Sequence, residues 1–231
     1  MAMDMVLMYH SVAPYAEDPY QVTVHPYRFE RQMHWLRERG LRGTSVADLL
    51  RARQAGRARR LVGLSFDDGY ADFASYVMPV LARYGFGATV FVLAGRLGGE
   101  NGWDRPGPRK ALMTADQVRR AAAVGVEIGS HGLTHARLPE LAGEELRGEV
   151  RDSRAVLARL TGREVTGFCY PYGAAGVREV DTVRDAGYGY ACAVQPSTLD
   201  SRFTMPRTYI GDRDTSWRLL AKRLRHRMVR R

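Results

Sequence analysis

The segment LSFDDGY, Leu64 to Tyr70, sets two carboxylates, Asp67 and Asp68, side by side at the end of an apolar run. Adjacent carboxylates repel, and in an interior each needs a partner. Asp-Asp-Gly is also ordinary turn chemistry, so the pair alone decides nothing. Further along, SHGLTH places His131 and His135 four residues apart. On a helical turn that spacing puts both imidazoles on one side, where they can share a metal. One added aspartate makes three ligands with positions left open for water, the pattern of a catalytic rather than a structural site. Two aspartates for one ligand place leave a carboxylate over, and the spare one can serve as a general base.

These residues need elements that bring them together. Apolar runs at 6–9, 61–66, 88–93, 126–129, 166–170, 190–194 and 204–210 read as strands. Between them lie helical patterns at 27–39, with Phe29, Met33 and Leu36 on one face, and at 46–53, 73–84, 115–124, 144–160 and 177–186, with another from Trp217 onward. Ser45 is placed to cap the second helix, and Thr114 with Gln117 forms a capping-box pattern opening the fourth. The stretch 95–112 reads as a long loop. Strand–helix alternation of this kind argues for a parallel sheet covered by helices, and about seven units in this length suit a closed barrel. His10, Asp67, Asp68, His131, His135 and the run CYPYG, Cys169 to Gly173, all follow strands. In one parallel barrel they face the same mouth.

Composition narrows the class. Hydrophobic content of 45% and charged content of 26% are ordinary for a globular chain of 231 residues. No apolar run is long enough to span a bilayer. The start MAMDM has no basic segment, long apolar stretch or small-residue cleavage site, so a cytoplasmic location is expected, or an extracellular one for a chain cut from a longer precursor. Cys169 and Cys192 are too few for a disulfide framework and read as buried thiols. Net charge is +10, almost all of it from arginine, and the tail RLLAKRLRHRMVRR holds seven of the basic residues and no acid. The division expected is a domain over 1–217 and a basic helical tail over 218–231. The tail suits weak contact with an anionic membrane surface. No stacking module or zinc-finger spacing is present, and no nucleic-acid partner is expected.

The blocks SFDDG, SHGLTH and YPYG, in this order, resemble the first three motifs of the polysaccharide deacetylases, the NodB-homology proteins of carbohydrate esterase family 4. The order and spacing agree from about residue 61 to residue 194. The resemblance implies an α/β fold, a single distorted (β/α) barrel, and a metal-dependent hydrolase that removes acetyl groups from N-acetylglucosamine residues. It implies Asp67 as the base and Asp68, His131 and His135 as ligands of one divalent metal, with zinc expected and cobalt or nickel able to substitute. It also implies that the Tyr172 N–H helps to bind the oxyanion. The chain departs from the family at Cys169, where many members carry an arginine that holds the catalytic aspartate. It also lacks the late Leu-x-His block that supplies a histidine acid, since His226 stands in the basic tail without that context. The opening VLMYHSV, however, is similar to the branch that deacetylates poly-β-1,6-N-acetylglucosamine, where the acid comes from the first strand. That likeness implies His10 as the acid.

The remaining candidates follow from residue type. Tyr70 and Trp103 are aromatics beside a sugar site, suited to stacking on a ring face, and Pro171 shapes the turn that meets the substrate. Arg207, at the end of FTMPR, is expected to supply the guanidinium missing at Cys169. The substrate expected is an N-acetylated amino sugar or glycan. Rival readings are an O-acetyl esterase or a non-sugar amide hydrolase on the same fold, or a basic surface-binding or non-catalytic glycan-binding protein.

Overall fold

Strands buried on both faces are near-continuous apolar runs, and these runs here are buried almost end to end. In the computed structural model, which describes residues 5–195, 197–199 and 202–228, eleven short strands form. They are β1 (Val6–Tyr9), β2 (Ser11–Val12), β3 (Thr23–Val24), β4 (Arg42–Thr44), β5 (Leu61–Phe66), β6 (Thr89–Val92), β7 (Glu127–Ser130), β8 (Gly167–Cys169), β9 (Tyr190–Ala193), β10 (Met205–Pro206) and β11 (Thr208–Tyr209). Nine make one sheet in the order β10-β9-β8-β7-β6-β5-β1-β11, with β4 beside the start of β5; β2 and β3 pair apart from it. Every pairing in the large sheet is parallel.

The sheet closes through one short segment. β10 pairs with β9, β11 pairs with β1, and only Arg207 stands between them. The continuous strand expected over 204–210 is therefore broken at Arg207, because its two halves bond to opposite edges of the sheet. The result is a (β/α) barrel. Taking β10 and β11 as one strand and counting β4, it has eight strands, one more than the sequence suggests. β4 escapes the sequence pattern because it is short, ends at polar Thr44 and begins with an exposed arginine.

Helices α1 (Pro26–Glu38), α2 (Val46–Gln54), α3 (Met78–Tyr84), α4 (Ala115–Ala123), α5 (Gly143–Thr161), α6 (Val177–Asp185) and α7 (Ser216–Met228) surround the strands. Ser45 caps α2 and the Thr114–Gln117 box caps α4, as their side chains require. Phe29, Met33 and Leu36 of α1 are buried as the periodicity predicts. The helix expected over 73–84 is instead a π turn, Phe73–Val77, followed by α3. Pro79 has no N–H to give to the preceding turn, so the helical register breaks there. Inside, Tyr9, Phe66 and Phe73 pack in sequence, with Tyr9 stacked on Phe66 and Phe66 edge-on to Phe73, both at 5.1 Å between ring centroids.

Ladder hydrogen bonds continue one residue past the strand ends. Asp67 N–H donates to Tyr9 O and His131 N–H to Val92 O, each at 2.9 Å. The chemistry-bearing residues are thus fixed by the sheet itself. The sequence boundary at residue 218 falls within the first turn of α7. Residues 1–4 of the leading segment and 229–231 of the tail lie outside the described residues.

Candidate active site

Asp67 and Asp68 face different partners. The Asp67 carboxylate accepts two parallel hydrogen bonds from Arg207, Nη1 to Oδ1 at 2.6 Å and Nη2 to Oδ2 at 2.7 Å. Such a bidentate pair fixes both the charge and the plane of the carboxylate. Arg207 is itself held by Ala193 O and Ser65 Oγ, each 3.2 Å away, and by Cys169 Sγ at 3.1 Å. Its side chain is 0% exposed. Burial alone would push the Asp67 carboxyl up, but the Arg207 charge and hydrogen bonds, with His10 and His131, hold it below the usual carboxylate value. Arginine and the site of the cysteine therefore meet in space: the guanidinium that the sequence lacks at Cys169 arrives from the closing strand.

Asp68 turns to the two histidines. Its Oδ1 lies 3.2 Å from His131 Nε2 and 3.3 Å from His135 Nε2. His131 Nδ1 is 2.8 Å from Cys169 O, an acceptor that can take its hydrogen bond and so fix the ring with Nε2 toward Asp68. His135 Nδ1 is buried without a hydrogen-bond partner among the described residues. Burial, outweighing Asp68, keeps the His135 imidazole below its ordinary value. His131 is buried too, but hydrogen bonding to Asp68 and the charges of both aspartates hold it above its ordinary value. One carboxylate and two imidazoles with ligand atoms within 4.8 Å of one another fit a divalent metal with positions left open.

Asp67, His131 and Cys169 also lie close together. That set fits less well, because both Asp67 oxygens are occupied by Arg207 and burial pushes the Cys169 thiol well above its usual value.

Backbone strain gathers at the same place. Five non-glycine residues among those described have positive φ, and three of them are Asp68 (68°), His135 (70°) and Tyr172 (59°). Held conformations of this kind cluster at functional sites. Gly69, at φ 67°, is required for a second reason: a Cβ there would lie 3.2 Å from Val92 Cα. The two histidines are not on a helical turn, as their spacing suggests, but in the loop after β7, which folds back through Gly132 (φ 84°).

A profile of the polysaccharide deacetylase family matches residues 54–191, more than half of the chain. The chain belongs to this family. It is similar to YxkH of Bacillus subtilis (strain 168), 26% identical over 193 residues, which cover 83% of this chain and 64% of that protein. It is also similar to the poly-β-1,6-N-acetyl-D-glucosamine N-deacetylase of Staphylococcus aureus (strain MSSA476), 22% identical over 200 residues, 80% of this chain and 67% of that one. The chain thus spans about two thirds of the length of these relatives. Its fold is that of the Streptococcus pyogenes deacetylase PplD, with a TM-score of 0.80 at 21% identity over 95% of this chain and 97% of that one.

The other expected residues take varied places. His10, which follows β1, brings Nε2 to 4.0 Å from Asp67 Oδ2, with 19% of its side chain exposed. Trp103 stacks on His135, ring centroids 4.3 Å apart, and so reaches the site from the long loop. The Tyr172 ring, 46% exposed, stands edge-on to His135 at 4.5 Å. Pro171 is buried at the start of that turn. Tyr70 is placed differently from expectation. It is only 1% exposed, packed with Leu93 and Leu112, and its hydroxyl donates to Asp104 at 3.1 Å. It offers no free ring face and instead anchors the Trp103 loop.

No sequence motif marks Glu149. It accepts from Leu133 N–H at 2.7 Å, Thr134 N–H at 3.1 Å and Thr134 Oγ1 at 2.6 Å, pinning the loop between the histidines. The available signal was an acid on the buried stripe of α5, three residues after Leu146.

Proposed function

We propose that this chain is a metal-dependent hydrolase that removes N-acetyl groups from an N-acetylated amino sugar, in a glycan or glycoconjugate built from N-acetylglucosamine. The observation that carries this reading is the separation of the two adjacent aspartates, Asp67 clamped by Arg207 and Asp68 facing two imidazoles, at the mouth of a deacetylase-family barrel. The Staphylococcus aureus relative, named for N-deacetylation of such a polymer, supports the substrate class.

Asp68, His131 and His135 would hold the metal. When bound it supplies Lewis-acid polarisation of the acetamide carbonyl and lowers the pKa of water from ~16 to about 7. Asp67, ionised and oriented by Arg207, takes the proton of the water that attacks the carbonyl carbon. The Tyr172 N–H donates to the carbonyl oxygen as it gains charge. His10 gives a proton to the nitrogen as the C–N bond breaks, so that a neutral amine departs. The products are acetate and a free amino sugar. Trp103 offers an aromatic surface beside the metal ligands, suited to the apolar face of a sugar ring.

The test is acetate release from N-acetylglucosamine oligomers, an O-acetylated sugar and an acetyl-lysine peptide, with and without a chelator. Chelator-sensitive release from the first alone is expected. Release from the O-acetyl sugar alone would replace the reading with an esterase. The metal assignment is checked separately: His131→Ala/His135→Ala is expected to purify without the metal that the wild type carries, as read by elemental analysis. Equal metal content in the two would remove these residues as ligands.

A further inference from the structure

α7 has an apolar face that nothing among the described residues covers. Trp217 (67% exposed), Leu220 (40%), Leu224 (48%) and Met228 (70%) stand at intervals of three, four and four residues, one stripe along the helix. Exposed Ala221 lies between them on the same face. The opposite face is the one that packs: Leu219 is buried, and Lys222 Nζ bonds to Tyr209 O at 2.7 Å and Asp214 Oδ2 at 2.6 Å. The helix is therefore anchored to the barrel with its apolar stripe turned outward. Single exposed apolar residues are common, but an aligned row on one helix is not.

The charge beside the stripe selects its occupant. Arg218 and Arg225 are exposed along one flank, and Arg218 lies over the Trp217 ring, 5.3 Å from its centroid. The sequence from 218 onward carries seven Lys and Arg and no acid. A second copy of the same helix would bring like charges together. An apolar stripe edged by arginine, with a tryptophan at one end, matches a helix lying in the plane of a lipid–water interface. We infer that α7 docks this protein on an anionic bilayer surface, its stripe sunk among the acyl-chain boundary and its arginines against lipid phosphates.

The placement has a consequence for access. α7 follows β11 by one short loop, on the side of the barrel where strands end and the site opens. A chain docked through α7 would work beside the headgroup layer, where a lipid-linked or membrane-proximal acetylated glycan is presented. This consequence rests on the deacetylase reading; the docking itself does not. No described helix is long and apolar enough to cross a membrane, so the contact is with the surface.

The experiment is vesicle sedimentation of the full chain with phosphatidylcholine alone and with phosphatidylcholine containing phosphatidylglycerol, at low and high salt. Binding to the anionic vesicles only, weakened by salt, is expected, with a blue shift of tryptophan emission that Trp217→Ser abolishes. Arg218→Glu and Arg225→Glu are each expected to weaken partitioning at least about fivefold. Leu220→Ser/Leu224→Ser is expected to weaken it by roughly tenfold through lost apolar burial. These side chains are exposed, so the folded barrel should persist, and acetate release from a small water-soluble oligomer should be unchanged. No sedimentation with anionic vesicles at low salt would overturn the inference. So would binding that ignores the two serines, since simple charge adsorption needs no stripe. A dimer in sedimentation velocity that dissociates in Leu220→Ser/Leu224→Ser would assign the stripe to a second copy instead.

Discussion

Asp67→Asn is expected to keep its full complement of metal and to lose turnover by about 10²–10⁴-fold, the usual contribution of a positioned base. The two aspartates are neighbours in sequence, yet their contacts divide cleanly. Asp67 touches the guanidinium of Arg207 through both oxygens, whereas Asp68 Oδ1 is the oxygen shared by both histidines. An amide at position 67 retains one acceptor for Arg207 but cannot take a proton from water. An amide at position 68 removes the ligand charge instead. Elemental analysis and acetate release on the two variants separate the roles. If Asp67→Asn lost its metal while Asp68→Asn kept it, the two assignments would have to be exchanged.

Removing Arg207 is the second large effect. Arg207→Ala leaves a buried carboxylate without its ion-pair partner, a change that commonly costs about 3–5 kcal/mol of stability. Activity is expected to fall about 10²-fold, because the plane of Asp67 is no longer set. The pH dependence follows from sign. In the wild type, burial raises the Asp67 pKa, but Arg207, with His10 and His131, lowers it further, so the carboxyl stays ionised to below the ordinary carboxylate value. That pair therefore stabilises the fold above the unfolded value of ~3.9, and its contribution is lost as pH falls through the lower folded value. Without the arginine, burial is unopposed by it and the pKa rises. The acidic limb of the pH–rate profile should move to higher pH, and the instability should be greatest at neutral pH and shrink on acidification. Arg207→Lys should recover part of the rate, since an ammonium supplies charge without the planar fork. An unmoved acidic limb together with full activity in Arg207→Ala would show that something else orients Asp67. Circular dichroism on both variants separates loss of fold from loss of orientation.

Much of this could be read without coordinates. The strands at 6–9, 61–66 and 190–193 are legible because residues buried on both sides must be apolar in succession. The caps at Ser45 and Thr114 are legible because an unsatisfied helix N-terminus selects side chains that can accept its N–H groups. The family motifs are legible because they are local: each lies within a few residues of one strand end. The resemblance implies that the family's arginine is missing at Cys169, which makes Arg207 a candidate to replace it; only the fold shows that its guanidinium meets Asp67.

What the tertiary structure decided is long-range or conformational. The two strands around Arg207 look like one in sequence, and only barrel closure splits them, because each half meets a different edge. The spacing of His131 and His135 is compatible with a helical turn, but the histidines share a point through a loop strained at His135. Glu149 has the type and setting of many solvated helix acids until the loop it holds is seen folded against it. Tyr70 has the type of a sugar-stacking residue, and only packing shows its ring covered. On α7, periodicity marks an apolar stripe but cannot say which way it points. On the other face Leu219 is buried and Lys222 bonds to Tyr209 O and Asp214, which turns that stripe outward. Periodicity encodes which residues share a face; which face is buried depends on contacts from distant parts of the chain.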